Sequence, residues 1–100
     1  MYNGMDEFDW DEGNRDKNWV KHGVMYKECE EVFFNDPKVI YKDAKHSFTE
    51  KRFGILGKTD KGRFLHIIFT TRKNEIRVIS ARDQNRRERK FYENETKNIK

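Results

Sequence analysis

The run Arg82-Asp83-Gln84-Asn85-Arg86-Arg87-Glu88-Arg89-Lys90 places five cations in nine residues. On a helix, Arg82, Arg86, Arg89 and Lys90 fall at i, i+4, i+7 and i+8 and share one face. The spacing predicts that Arg82 closes a strand while the others open the helix after it. A phosphate there would meet planar guanidinium forks and the positive end of a helix. The bland alternative is a solvated helix face with Glu88 and Glu93 as local partners. Four more arginines, Arg52, Arg63, Arg72 and Arg77, fall on or at the ends of strand-like runs. Arg77 alternates with Ile76 and Val78 and so points to the face opposite those two. Singly such cations are structural or solvated, but together on an open sheet face they suit RNA.

Proton-transfer groups are fewer. Of His22, His46 and His66, the last lies in the most apolar strand and reads as semi-buried. His46 lies in a loop beside Lys45 and four residues before Glu50. An imidazole titrates near pH 6.5, in the range that general acid–base work needs. Glu50 precedes Arg52 by two and shares its side of a strand, as an ion pair or as a carboxylate base beside a phosphate. No HxH, HxxxH or HExxH spacing occurs, and Cys29 has no nearby Cys, so no metal site is expected. No Ser/His/Asp set, Gly-rich phosphate loop or carboxylate dyad stands out. Spacing alone points to a phosphate binder with acid–base groups nearby.

These side chains need elements to hold them. Phe8-Asp9-Trp10 reads as a short edge strand. Asp11 is expected to cap a surface helix that Gly23 ends in the left-handed region. A second helix is expected over Met25–Asn35, where Met25, Cys29, Val32 and Phe33 form one apolar stripe. Asp36-Pro37 stops it. Strands follow at Val39–Tyr41, Arg52–Gly57, Arg63–Thr71 and Glu75–Arg82. The last three form an antiparallel meander that turns at Thr59–Gly62 and Lys73-Asn74. Leu65, Ile67 and Phe69 face one side of the third, with Phe64 and Ile68 on the other, as in a central strand. Asp83 is expected to cap a final helix over Gln84–Lys97. The order describes an α+β sandwich.

One hundred residues suit one domain, 1–100, with residues 1–7 read as an extension and 97–100 as a frayed tail. Hydrophobic residues make up 34% and aromatics 14%, so a few large side chains must build the core. Phe33, Phe34, Phe53, Phe64 and Phe69 are the candidates. Met1–Glu31 holds nine acids against four Lys/Arg, a charge of −5, and Val32–Lys100 holds nine against eighteen, +9. A basic C-terminal two-thirds suits a phosphate-rich partner. A single cysteine permits no internal disulfide, and no signal-like or membrane-spanning run occurs, so a cytoplasmic protein is expected.

Phe8-Asp9-Trp10-Asp11, then Asn18 and Lys21-His22-Gly23-Val24, resembles the opening of the BrnT toxin family. The likeness continues through Glu30-Glu31-Val32-Phe33, Asp36-Pro37, Glu50-Lys51-Arg52-Phe53-Gly54-Ile55-Leu56-Gly57 and Arg63-Phe64-Leu65. It closes on Ile79-Ser80-Ala81-Arg82, Arg86-Arg87-Glu88-Arg89 and Tyr92. Lys45-His46 stands where the family often carries Arg-His. The family usually begins near Phe8, which leaves Met5 as an alternative start. The resemblance implies a RelE-like fold, with N-terminal helices on a curved antiparallel sheet and a C-terminal helix. It implies a ribonuclease that stops translation without a metal or other cofactor. It also implies neutralisation by a BrnA-like ribbon-helix-helix antitoxin, as a heterotetramer that meets operator DNA only through that partner. On this basis Arg52, Arg82 and Arg86 are expected to hold the phosphate, with His46 or Glu50 as base. Lys21, His22, Lys45, Arg63, Arg77, Arg89 and Tyr92 are the expected RNA contacts. The competing reading is a non-catalytic nucleic-acid-binding regulator that uses the basic last helix.

Overall fold

The computed structural model describes residues 7–46 and 50–97, so most of the expected extension and tail lies outside the described residues. Two helices, α1 (Lys17–His22) and α2 (Tyr26–Phe34), precede β1 (Val39–Lys42) and a 3-10 turn (Ala44–His46). Then come β2 (Phe53–Lys58), β3 (Phe64–Arg72), β4 (Glu75–Asp83) and α3 (Arg86–Thr96). The strands form one antiparallel sheet in the order β1-β2-β3-β4. The chain is thus α+β, as its pattern predicts, with β3 inside the sheet. Phe8 adds a parallel bridge to Ile76 on the outer edge of β4.

The core lies between the sheet and α1–α2. Phe53 and Ile55 of β2, Leu65, Ile67 and Phe69 of β3, and Ile76, Val78 and Ala81 of β4 face it, with Val24, Cys29, Val32 and Phe33 from the helical side. The alternation within β3 puts Phe64 and His66 on the other face, where α3 packs. Tyr92 meets the Phe64 ring edge-on, and the Arg89 guanidinium lies 3.4 Å from that ring's centre. Phe34, expected in the core, is exposed because it falls on the outer side of α2, and Met25 precedes the helix with its side chain half open.

Three boundaries differ from expectation. Residues 12–16 form turns rather than helix, and Asp11 accepts from the Gly13 N–H (2.8 Å) instead of capping α1. Asp83 belongs to β4, and its carboxylate binds Arg63 at 2.7 Å. The cap of α3 is Asn85, whose side chain accepts from the Glu88 N–H while the Glu88 carboxylate returns to the Asn85 N–H. That reciprocal pairing satisfies two orphan donors of the first turn.

One irregularity decides which residues share a face. Ile68 pairs with Ser80 but Phe69 with Val78, so β4 carries an extra residue at Ile79. Ile76 and Val78 before this bulge and Ala81 after it all face the core, and Arg82 therefore turns to the opposite face. Two buried asparagines serve the backbone on either side. The Asn14 amide donates to Val78 O (3.1 Å), and Asn18 Oδ1 accepts from Ala81 N (3.0 Å). Both groups lie on the outer edge of β4, where among the described residues only the Phe8 bridge pairs further along, and side-chain amides take the place of the ladder.

Candidate active site

The face turned away from α1–α2 carries Tyr41 from β1, His66 from β3 and Arg82 from β4, brought side by side by the strand registers. Tyr41 stands opposite Gly54, Leu56 opposite His66, and His66 opposite Arg82. Gly54 has a steric reason to be glycine. A Cβ there would lie 2.1–2.3 Å from the Tyr41 ring and hydroxyl, so only a bare backbone lets the ring lie across β2. The Tyr41 hydroxyl then reaches His66 Nε2 at 2.5 Å.

On its other side His66 Nδ1 lies 2.8 Å from the Glu88 carboxylate, on the first turn of α3. Arg82 grips the same carboxylate with both terminal nitrogens, each at 2.8 Å. This fixes the tautomer: Nδ1–H donates to Glu88, and the Nε2 lone pair accepts from the Tyr41 hydroxyl. The 3.3 Å approach of Arg82 Nη2 to Nδ1 is then a close contact of two donors, not a hydrogen bond. Burial pushes His66 below the usual imidazole range, against the pull of Glu88, so the ring is neutral near pH 7. Burial pushes the Tyr41 phenol up, with Asp43 and Glu88 adding to it.

Burial alone would raise Glu88, but Arg82, the Asn85 N–H and His66 outweigh it and hold the carboxyl down at about 2. A carboxyl depressed in the folded state stabilises the fold above its ordinary value of 4.5, and that contribution disappears as pH falls through about 2. Wild-type protein is therefore expected to lose more thermal stability than Glu88→Gln between pH 6 and pH 3. Paired melting curves would show the difference, and parallel losses would mean that Glu88 is not the acid-sensitive group.

Tyr41, Asp43, Arg52, His66, Ile68, Ile79, Ser80 and Arg82 line a groove of about 460 Å³. Two of the arginines expected to hold a phosphate, Arg52 and Arg82, thus border one hollow, with the largely buried imidazole at its wall. A second hollow beyond Tyr41 and His66 is bordered by Leu56, Arg87, Glu88 and Phe91.

The remaining expected residues lie elsewhere. Glu50 pairs with Arg72 at 3.3 Å rather than with Arg52. Arg86 is exposed on the first turn of α3, and it is Arg87 that borders the hollow beside His66. The backbone of His46 ends the 3-10 turn and exposed Lys45 precedes it, but the His46 side chain lies outside the described residues. Lys21 and His22 close α1. Arg63 ties that corner together through Asp83, Glu28 and the carbonyls of His22 and Gly23. Arg77 is held by Asp11 at 2.9 Å and Asp9 at 3.4 Å. Arg89, stacked on Phe64, pairs with Glu93 at 3.0 Å, and buried Tyr92 donates to Pro37 O at 2.6 Å. The local carboxylate partners of the basic run, Glu88 and Glu93, are thus both engaged, and Arg82 lies on the sheet rather than on the helix face.

Reasoning from sequence did not single out Tyr41 or Asp43, and it read Glu88 only as a local ion-pair partner and His66 only as semi-buried. The signal for Tyr41 and His66 was their parity, since both fall on the face that β1–β3 turn away from the apolar majority. Among the described residues no group of three or more His, Cys, Asp or Glu is placed to hold a metal ion. No helix among them is long and apolar enough to cross a membrane. A family model described as the ribonuclease toxin BrnT of type II toxin–antitoxin systems matches residues 10–88, a span that holds every residue of the groove. No curated protein matches the chain.

Proposed function

The chain belongs to the BrnT family of ribonuclease toxins of type II toxin–antitoxin systems, and we propose that it cuts RNA in the Arg52–Arg82 groove by attack of a 2′-hydroxyl on the adjacent phosphate. In that reaction a bond forms between the 2′-oxygen and phosphorus while the bond to the 5′-oxygen breaks. The phosphorane between them carries more negative charge than the ground state. Fixed cations stabilise it without reorganising, and arginine, protonated at any relevant pH, suits this task rather than proton abstraction. Arg52 and Arg82 do this work, and exposed Arg86 and Arg87 extend the positive surface along the strand of RNA. The observation that carries the reading is that Arg52, Arg82 and His66 border a single groove. No metal takes part in the proposed step. The fold is read as RelE-like, the compartment as the cytoplasm, and the partner as a BrnA-like ribbon-helix-helix antitoxin in a heterotetramer.

Purified, partner-free protein should convert RNA to fragments ending in 2′,3′-cyclic phosphate and 5′-hydroxyl, either alone in EDTA or, with magnesium present, in a translating extract. The competing reading, a regulator that only binds nucleic acid through α3, predicts a different result. Affinity would fall with salt at a log–log slope of about −0.7 per phosphate on single strands, and no fragments would appear in either setting. That outcome would overturn the nuclease reading.

A further inference from the structure

We propose that Tyr41 and His66 form the proton-transfer couple of the cleavage reaction, with Glu88 as the positioning residue that orients the imidazole; this rests on the nuclease reading above. Tyr41 borders both hollows on this face, and its phenol oxygen lies close enough to Arg82 to feel that charge. It sits 2.5 Å from His66 Nε2, which in the neutral ring has a lone pair to offer. His66 keeps only 12% of its side chain exposed where it borders the groove, and its Nε2 faces the Tyr41 hydroxyl. The groups facing the ring are Tyr41 and Asp43 from β1 and the turn after it, Arg82 from β4, and Glu88 from α3.

The Tyr41 oxygen accepts the proton of the attacking 2′-hydroxyl while its own proton passes to His66 Nε2. The imidazolium so formed keeps its Nδ1–H on Glu88, whose negative charge compensates the new positive one. The 2′-oxygen bonds to phosphorus, the 5′-oxygen leaves with its electron pair, and solvent water protonates it. The hydroxide produced takes the proton back from the couple through Tyr41. Burial keeps the phenol protonated, so tyrosine alone is no base and needs His66 to receive its proton. A carboxylate–imidazole–hydroxyl chain is a general way to make a weak hydroxyl act as acceptor or nucleophile. Here it starts from tyrosine, and Arg82 holds the carboxylate in place.

The test is RNA cleavage by full-length protein bearing Tyr41→Phe, His66→Gln or Glu88→Gln, with RNA binding and thermal melting measured on each. Proton-transfer groups contribute about 100-fold or more. Tyr41→Phe, which keeps the ring over Gly54, should lose at least that in rate with RNA affinity unchanged. The wild-type rate should fall as pH drops through the titration of His66, and His66→Gln should abolish this acid limb. Glu88→Gln should shift the limb rather than remove it. If Tyr41→Phe and His66→Gln cleave at the wild-type rate with the wild-type pH profile, the couple is wrong and the nuclease stands. If wild-type protein makes no fragments, alone or in a translating extract, both readings fall together. Should His66→Gln not fold, Tyr41→Phe and the wild-type pH profile still decide the matter.

Discussion

Arg82→Ala is expected to lower RNA cleavage by at least about 100-fold, the usual cost of removing one preorganised group that stabilises charge in the transition state. Two losses add to that of a charge. Arg82 is the bidentate partner of Glu88, so its removal leaves the carboxylate with the Asn85 N–H and His66 alone and lets its pKa rise from about 2. The carboxylate that orients His66 is then less firmly held. The cost to the fold is smaller. With 40% of the Arg82 side chain exposed, solvent screens the pair, and a loss of about 1 kcal/mol is expected. Arg82→Lys separates the contributions, because it keeps the charge and loses the fork that matches a carboxylate. It should retain more activity than alanine but well under that of wild type. The measurements are cleavage rates in EDTA, growth arrest on expression without an antitoxin, and melting curves to show that both variants fold. An Arg82→Ala protein that still arrests growth and cleaves like wild type would remove the chemical basis of the site. Losses at Arg82 and Glu88 should not add, since the two side chains act as one unit.

The path from sequence to this site was partly legible. Alternation in Phe64–Arg72 identified a central strand, and Lys73-Asn74 identified the turn after it. Both turn residues do adopt positive φ, 51° and 66°, in the left-handed region that Asn enters readily. Gly23 closes α1 at φ 65°, as its position suggested. What stayed hidden was the extra residue at Ile79. A period of two carried unbroken through β4 would put Arg82 on the same face as Ile76 and Val78, away from His66. The bulge is held by side chains 64 and 63 residues away in the sequence, Asn14 and Asn18, and no local pattern announces that. Asp83 and Asn85 posed a related problem. Both are good caps, and the choice between them depends on β4 continuing far enough to pair Asp83 with Leu65. The ion pair of Glu50 was hidden for the same reason, since its partner Arg72 comes from another strand. The residues that lay in one motif, such as Arg82 and Glu88, were visible as neighbours, but their joint hold on His66 depended on tertiary register.

Phe69→Ala is expected to have the largest effect on stability, and through it on the site. Phe69 has no exposed surface, meets Phe33 edge-on at 4.9 Å and stacks on Phe53 at 5.5 Å. Its removal leaves a cavity where α2, β2 and β3 meet, at a cost of about 3–5 kcal/mol. Whole domains are stable by only about 5–15 kcal/mol, so this could exhaust much of the total. For a chain of this length the melting temperature should fall by on the order of 20 °C. Phe64→Ala, on the α3 face and only half-buried, should cost distinctly less. Phe69 also pairs with Val78 immediately beside the bulge, so the cavity lies under the turn of β4 that directs Arg82. Urea unfolding should show a lower midpoint with an unchanged slope, the mark of lost stability rather than an altered unfolded state. Its activity should separate it from Arg82→Ala. At low temperature the folded fraction of Phe69→Ala should still cleave, whereas Arg82→Ala should stay folded and inactive. A Phe69→Ala protein with a wild-type midpoint would show that the three-ring cluster does not carry the core.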